Sequence, residues 1–330
     1  MTATKIVESK ALKKSAPRAR RNPFAAYGIV IFLVLIIVAF SVLSPSFARF
    51  DNVRLLLANL AIPGILALAA ILPLTVGEFD LSLGATLGFS AITSLTLANS
   101  GLPLPVVILL TLIVGAVIGA FNAVLVIVFR VNAFIATLGV ATLLAGGNLL
   151  LTNSSLLTLK VPQFALLTTT RVGGIQVVLA YLVVAALILW LVMEKTPFGR
   201  YSRATGLGRS AATLSGINTS RYLALAFILG SILAALAGLL QASRAGSAPP
   251  SLGPDFLLPA YAAAFLGATT IRPGLFNVWG TVVGVILLAV GSNGLTLLGA
   301  QTWVTNAFNG SALILSVAVS GFVSRKRKRA

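Results

Sequence analysis

Few side chains in this sequence could carry out acid–base, nucleophilic or metal chemistry. The chain contains no Cys and no His, which removes thiolate nucleophiles, imidazole catalysis and the usual ligands of zinc and haem. Its carboxylates are scattered along the chain: Glu8, Asp51, Glu78, Asp80, Glu194 and Asp255. Because no nucleophile–base set or metal constellation is visible among them, we predict that the chain is not an enzyme and binds no metal or cofactor.

Glu78 and Asp80 lie two residues apart in the segment Val76-Gly-Glu-Phe-Asp-Leu-Ser-Leu-Gly84, between long uncharged stretches. A carboxylate deep in a bilayer costs a few kcal/mol or more and is then functional by default. At a junction between two membrane spans this cost largely disappears, and Asp80 or Ser82 could cap the helix that follows. We favour this structural role, and an ion or proton relay is the alternative.

Charge is absent from much of the chain. Residues 81–129 and 273–324 carry no formal charge, and the chain as a whole is 58% hydrophobic and 9% charged. Roughly 20 apolar residues cross the hydrocarbon core of a bilayer as a helix, so each of these two stretches is long enough to cross twice. The composition therefore predicts a polytopic membrane protein.

We predict an all-α fold with about ten transmembrane helices, because the ten-residue alternating segments of a membrane barrel are missing from the sequence. The third, eighth and ninth spans are short or Gly-rich, which makes them candidates for tilted, broken or re-entrant segments. Two Gly-x-x-x-Gly pairs, Gly115 with Gly119 and Gly280 with Gly284, predict close helix packing within the chain, with dimer contact as the alternative. The predicted spans are 27–44, 55–76, 82–98, 104–129, 133–152, 175–193, 221–241, 256–271, 275–292 and 305–323.

Basic residues predict the orientation. Segments 5–21, 195–221 and 325–329 hold seven, five and five of the 24 basic residues. With ten spans and a cytoplasmic N-terminus, 19 basic residues lie inside and 5 outside, as the positive-inside rule requires. We therefore predict two cytoplasmic tails, 1–26 and 324–330, around a membrane domain at 27–323.

The basic clusters are expected to contact anionic lipid head groups, since no aromatic platform accompanies them that would favour nucleic acid. The sequence Ser46-Phe-Ala48 resembles a signal-peptide cleavage site. The basic region before the first span and the apolar run itself are both too long for a signal peptide, so we predict an uncleaved anchor.

The longest internal polar segment is the loop at 194–221, which is cytoplasmic in this topology. Pro197 and Gly199 end the preceding span, and residues 209–215 can form about two turns of helix that Gly216 stops. Such a helix could dock into a groove of another protein, although an ordinary loop is the alternative. Lys195-Thr196 lacks the preceding glycines of a phosphate-binding loop, since Glu194 and Leu189 occupy those positions. Any nucleotide energy must therefore come from a partner chain.

Several motifs, in order from about residue 55 to 320, resemble those of permease subunits of ribose/xylose/arabinose-type ATP-binding-cassette (ABC) importers. The G-x-x-D-L-S-x-G motif of that family is matched by Gly77-Glu-Phe-Asp-Leu-Ser-Leu-Gly84, and its cytoplasmic loop by Thr196-Pro-Phe-Gly-Arg-Tyr201 with Leu214-Ser-Gly-Ile-Asn218. Further matches are Ala133-Phe-Ile-Ala-Thr-Leu-Gly139 with Thr152-Asn153, Ala234-Ala-Leu-Ala-Gly238 with Ser243-Arg244, and Asn293 to Gly299.

The resemblance implies a bacterial inner-membrane importer with two permease subunits, two cytoplasmic ATPase subunits that bind ATP and Mg, and a periplasmic or lipid-anchored solute-binding protein. It implies that the 194–221 loop holds the helix that couples to the ATPase, with the residues Arg200, Arg203, Gly206, Arg209, Ala211, Ala212, Leu214 and Gly216. Candidate gating or structural residues are Glu78, Asp80, Ser82, Thr137, Asn153 and Asn293.

A monosaccharide or similar small polar solute is the expected cargo, carried along a path of small and hydroxyl side chains without fixed charge. The segments Thr269-Thr-Ile-Arg-Pro-Gly274 and Asp255-Phe-Leu-Leu-Pro259 depart from the usual pattern of the family, so the solute stays open. An ion-coupled secondary transporter is the alternative function, and it would need titratable groups near the midplane, for which only Glu78 and Asp80 are available.

Overall fold

The computed structural model describes residues 23–329, with side chains from residue 27 to residue 318. Within this part of the chain lie thirteen helices and four two-residue strands. The helices are α1 Pro23–Leu43, α2 Phe50–Thr75, α3 Ser82–Asn99, α4 Leu104–Ile127, α5 Ala133–Thr152, α6 Pro162–Thr169, α7 Val178–Lys195, α8 Pro197–Leu207, α9 Arg209–Leu214, α10 Thr219–Ala245, α11 Pro254–Gly267, α12 Val278–Leu297 and α13 Thr302–Arg329. The strands are β1 Leu157–Thr158, β2 Arg171–Val172, β3 Ile175–Gln176 and β4 Ser247–Ala248.

The predicted all-helical membrane fold is confirmed. Each of the ten predicted spans corresponds to one helix, namely α1 to α5, α7 and α10 to α13. By length and composition, six of the described helices could cross a membrane: α2, α4, α5, α7, α10 and α12. The backbone of α13 continues as a helix to Arg329, so the predicted C-terminal tail at 324–330 begins as an extension of the last helix.

Helix α2 lies at the centre of the bundle. From residue 60 to residue 74 its sequence is apolar on every face, as expected for a helix that is surrounded by other helices, and nearly every residue from 60 to 75 is buried. It packs against α7, α10, α11 and α12, while α10 also packs against α3 and α4. By contrast, only 28% and 22% of the residues in the 18-residue apolar stretches of α4 and α5 are buried, so these two helices lie at the periphery of the bundle.

The two Gly-x-x-x-Gly pairs pack within the chain, which decides between the two alternatives left open above. A Cβ atom on Gly119 would lie 2.6 Å from the Cα atom of Ile228 in α10, and one on Gly284 would lie 2.4 Å from the carbonyl oxygen of Ala263 in α11. Only glycine lets the helix backbones approach this closely.

The third and eighth spans are short because non-helical backbone enters the bundle before each of them. The connector before α11 reaches the first turns of α3, where a Cβ atom on Gly88 would lie 1.9 Å from the carbonyl oxygen of Leu252. Gly253 has φ +125°, a conformation that side chains rarely adopt, and it faces the backbone of Gly84. Irregular backbone at membrane depth is tolerated where protein buries it. The helix of the eighth span, α11, accordingly has 14 residues, Pro254–Gly267, and not the predicted range 256–271.

Between α5 and α7 the chain forms structure that the sequence analysis did not anticipate. Helix α6 is followed by a hairpin in which Arg171 pairs with Gln176 and Val172 with Ile175. Strand β1 pairs with β4, so Leu157 lies opposite Ala248. The sixth span therefore begins at Val178, three residues later than predicted, because residues 175–176 belong to the hairpin.

Candidate coupling site and solute cavity

The cytoplasmic loop of the prediction is a pair of short helices, α8 and α9. The hydroxyl of Thr196 accepts a hydrogen bond from Phe198 N (3.2 Å), and Pro197 occupies the first position of α8, where a missing N–H is harmless. A Cβ atom on Gly199 would lie 1.8 Å from the carbonyl oxygen of Met193, so glycine is needed for this sharp turn. Pro197 and Gly199 thus end α7 as predicted, and they also start a helix that was not predicted.

Helix α9 spans Arg209–Leu214, one residue shorter than the predicted 209–215. It ends in a Schellman motif, with Ile217 N donating to Ala212 O (3.0 Å) and Gly216 N to Thr213 O (3.0 Å). Gly216 has φ +80°, as a left-handed cap requires. Ala212 is buried against the bundle, whereas Ala211 and Leu214 point to solvent, and Leu214 is 90% exposed. An exposed leucine on a short polar-flanked helix is the feature that suits docking into a partner.

The end of α8 packs directly on the end of α2. A Cβ atom on Gly206 would lie 2.1 Å from the carbonyl oxygen of Thr75, and one on Gly77 would lie 3.4 Å from the Cα atom of Gly206. This backbone-to-backbone contact leaves no side chain between the two elements. A displacement of α8 toward the bundle would therefore push on the end of α2.

Ion pairs join the same segment to two other connectors. The guanidinium of Arg209, at the start of α9, lies 2.6 Å from the Glu78 carboxylate in the α2–α3 connector. Glu194, at the end of α7, accepts hydrogen bonds from both Arg203 in α8 and Arg272 in the α11–α12 connector. Glu194 therefore connects α8 to the α11–α12 connector. Arg200 is exposed and forms no ion pair within the described residues.

Asp80 is fully buried, so the expectation that its burial cost largely disappears at a span junction is wrong. Its Oδ1 accepts hydrogen bonds from Ser82 N (2.9 Å) and Ser82 Oγ (2.6 Å). The N-cap of α3 is Leu81, so neither Asp80 nor Ser82 occupies the N-cap position, although Asp80 accepts a hydrogen bond from the N–H of Ser82, the first helical residue. Burial raises the pKa of Asp80 to about 6, against the lowering effect of the two Ser82 hydrogen bonds.

Three further helices converge on this connector. The hydroxyl of Tyr261 in α11 donates to Asp80 O (2.9 Å). Asn122 Nδ2 in α4 donates to Ser82 Oγ (2.8 Å), and Leu81 N donates to Thr137 Oγ1 in α5 (3.0 Å). The connector is thus a junction at which α3, α4, α5 and α11 are tied together, and Thr137 belongs to it as the candidate assignment suggested.

Asn153 and Asn293 lie away from this junction. Asn153 is the exposed C-terminal cap of α5, with the left-handed φ of +48° that Asn tolerates. Asn293 in α12 exchanges two side-chain hydrogen bonds with Asn52 in α2, of 3.0 and 3.1 Å. Asn293 also borders a cavity between the helices.

This cavity, of about 590 Å³, lies between α2, α11, α12 and α13. It extends from Asn52 at the start of α2 to Pro63, about three turns further into the bundle. Its polar lining consists of amides and hydroxyls with one carboxylate at its border: Asn52, Asn59, Asp255, Ser292, Asn293, Thr296, Thr305 and Asn309. The rest is apolar, from leucine, valine, alanine, proline and Phe256.

Sequence analysis did not identify the amides of α2 and α13 or the role of Arg272. Asn52 and Asn59 are seven residues apart, which places them on one face of a helix after two turns, and this spacing is a signal that the sequence contains. Arg272 is the only charge between Asp255 and Arg325. Its isolation was likewise a signal, although its partner could not be read from local sequence.

Comparison with known proteins identifies the family. Residues 52–317 match the family model described as "Branched-chain amino acid transport system / permease component". The chain belongs to this family. It is 30% identical over 301 residues to the ribose import permease protein RbsC of Haemophilus influenzae, covering 90% of this chain and 93% of that protein. It is 33% identical over 310 residues to the autoinducer 2 import system permease protein LsrD of Escherichia coli, covering 91% and 93%. No solved structure matches the chain significantly.

The predicted resemblance to permease subunits of ABC importers is thereby confirmed, and the chain is the non-catalytic, membrane-spanning subunit of such a system. As a member of this permease family, it is a multi-pass membrane protein that works with an ATPase on a separate chain. The matched range contains α8, α9, the Asp80 junction and the cavity lining, so both candidate sites lie within the family domain.

Proposed function

We propose that this permease carries a monosaccharide or a similarly small, neutral, polar solute, delivered by a periplasmic or lipid-anchored binding protein. The cavity supports this class of solute, because amides and hydroxyls can exchange hydrogen bonds with sugar hydroxyls. The relatives named for ribose and autoinducer 2 support it as well.

The proposal assigns the coupling role to α9 and its neighbours. A cytoplasmic ATPase subunit, which binds ATP and Mg, docks on the face that presents Ala211 and Leu214. Its movement passes through Arg209 to Glu78 and through Gly206 to the end of α2. Helix α2 then carries the displacement to its other end, where Asn52 and Asn59 line the cavity.

The proposal also includes a second permease subunit and the orientation predicted from charge. Both termini are cytoplasmic, with tails at 1–26 and 324–330 around the membrane domain, and α8 and α9 face the cytoplasm. The cavity then opens toward the side on which the binding protein delivers its cargo. The observation that carries the proposal is the position of one buried helix, α2. One end of α2 contacts α8 and the other end lines the amide-lined cavity.

Transport by reconstituted vesicles tests this function. The permease, its ATPase and its binding protein are placed in proteoliposomes, and uptake of radiolabelled D-ribose, D-xylose and L-arabinose is measured with ATP or with a proton or sodium gradient. We expect uptake of at least one of these probes to require ATP and the binding protein. Uptake driven by an ion gradient in the absence of ATP would show a secondary transporter, the alternative function, and would contradict the proposal.

A further inference from the structure

A second cavity, of about 440 Å³, opens at the end of the bundle that carries α9. It is lined by the end of α4, the α4–α5 connector and the start of α10, together with Glu78 and Arg209. It is separate from the amide-lined cavity, with which it shares no lining residue. Neither the proposed solute path nor the docking face of α9 uses it.

The charged groups of this cavity favour an anion. Arg130 and Arg209 line it, and Glu78 is the single acidic residue among its lining residues. The Glu78 carboxylate is already bound by Arg209, whose side chain remains 47% exposed. The side chain of Arg130 forms no hydrogen bond or ion pair with any residue for which the structure describes side chains. Two positive charges against one negative leave a net charge of +1 in the lining, with an unpaired guanidinium available.

The backbone holds Arg130 in an unusual conformation. Its φ is +56°, in the left-handed region where residues other than glycine and asparagine are uncommon. This φ belongs to the turn that ends α4, in which Val131 N donates to Leu125 O (3.0 Å). The turn places Arg130, which is exposed and has no partner among the described side chains, in the lining of the cavity.

Apolar side chains next to Arg130 face the surroundings of the bundle. Val128 and Phe129, immediately before Arg130, are 67% and 68% exposed, and Phe134 and Ile135, at the start of α5, are 53% and 65% exposed. Helices α4 and α5 are peripheral, so these side chains lie where acyl chains of a bilayer would contact them. A basic pocket directly beside an apolar, lipid-facing surface is the arrangement expected for an anionic head group whose tails stay in the bilayer.

We propose that this cavity binds the phosphate of an anionic phospholipid, with Arg130 as the principal contact and Arg209 as the second. A soluble phosphate would gain nothing from Val128, Phe129, Phe134 and Ile135, whereas a phospholipid contacts both parts of the site. The occupied site would place a lipid phosphate beside the Glu78–Arg209 pair. The proposal does not depend on the identity of the solute, and it is tested on the permease alone, although Arg209 also belongs to the route proposed above between the ATPase and Glu78.

Native mass spectrometry of the full-length permease in detergent tests this site. The probes are phosphatidylglycerol, phosphatidylcholine with the same acyl chains, and soluble glycerol 3-phosphate. We expect phosphatidylglycerol to bind the native chain at least about tenfold more tightly than the other two probes. Arg130→Gln should weaken phosphatidylglycerol binding by about tenfold, while Arg130→Lys, which keeps the charge, should retain most of it.

Arg221→Gln is the matched control. Arg221 lies at the same end of the bundle, is exposed and does not line the cavity, and its loss lowers the net charge by the same amount. It should leave binding within about twofold of the native chain. Equal weakening by Arg130→Gln and Arg221→Gln would reveal diffuse charge attraction and overturn the proposal. Equal binding of phosphatidylcholine, or of glycerol 3-phosphate, would overturn it too. Thermal unfolding of each variant in the same detergent identifies any variant that is misfolded. If Arg130→Gln is misfolded, the preference of the native chain for phosphatidylglycerol over phosphatidylcholine and glycerol 3-phosphate decides.

Discussion

The two ends of the helical bundle use polar side chains in different ways. Where α8 and α9 meet the bundle, the contacts between elements are ion pairs, namely Glu194 with Arg203 and Arg272, and Glu78 with Arg209. At the other end, the amides of Asn52 and Asn293 hold α2 and α12 together across the cavity. Breaking a partly buried ion pair leaves an uncompensated charge, whereas an amide pair can exchange its partner for a solute hydroxyl. The first arrangement suits a mechanical connection and the second suits transient binding.

Helix α2 joins these two regions. The buried, apolar part of α2 lies between the ion pairs at one end and the amides at the other. A substitution in one set therefore does not touch the residues of the other set. If the ion-paired end couples to the ATPase and the amide-lined end handles solute, changes at the two ends should affect different measurements. The predictions below test this division.

The largest effect is expected from Ala212→Pro in α9. Proline removes the N–H that donates to Gly208 O (2.9 Å) and clashes with the preceding turn, at about 3 kcal/mol in a helix interior. We expect ATPase co-purification and ATP-driven uptake to be lost, while membrane insertion and binding-protein association persist. Ala212→Ser keeps the N–H and is the matched control. Normal uptake by Ala212→Pro would show that α9 is only a connector.

Glu194→Ala should come next. It leaves Arg203 and Arg272 without their shared carboxylate and separates α8 from the α11–α12 connector. We expect a loss of about 2 kcal/mol, measured by thermal unfolding, and a larger fall in ATP-coupled uptake than in ATPase binding. Asp51→Ala is the control, because the Asp51–Arg54 pair is an exposed contact within one helix and should contribute little. Equal effects of the two substitutions would contradict a special role for the Glu194 bridge.

Long-range contacts such as these are the features of the structure that the sequence alone does not predict. The order and approximate positions of the spans, the break at Pro197 and the helix that Gly216 stops are predictable, because each depends on residues within a few turns of one another. The pairing of Glu194 with Arg272 and of Asp80 with Tyr261 is not, since it depends on how helices far apart in sequence meet. For the same reason the connector at Asp80 is predictable as a span junction, but the complete burial of the Asp80 side chain is not.

Asn293→Ala should have a smaller effect, confined to the cavity. It removes both hydrogen bonds to Asn52 but leaves a site that water or solute can reach, so we expect about a tenfold fall in uptake efficiency and normal ATPase association. The control is Asn153→Gly, which removes an exposed amide outside the cavity and keeps a residue suited to its positive φ. Loss of ATPase association in Asn293→Ala would contradict the division between the two ends.

The smallest effect concerns the pH dependence of stability that Asp80 contributes. Burial raises its pKa to about 6 in the folded chain from an ordinary value of 3.8, so the folded state favours the protonated carboxyl more than the unfolded state does. Folding is therefore favoured at low pH, and this contribution is lost as the pH rises from about 4 through 6. Between pH 5 and pH 7 the native chain should lose about 1 kcal/mol that Asp80→Asn does not lose. Asn keeps an oxygen that can accept the Ser82 hydrogen bonds, and it cannot ionise, so the difference between the two proteins isolates this one group from the other carboxylates. Thermal unfolding in detergent at both pH values measures it. An identical pH response of the native chain and Asp80→Asn would mean that Asp80 keeps an ordinary pKa despite its burial.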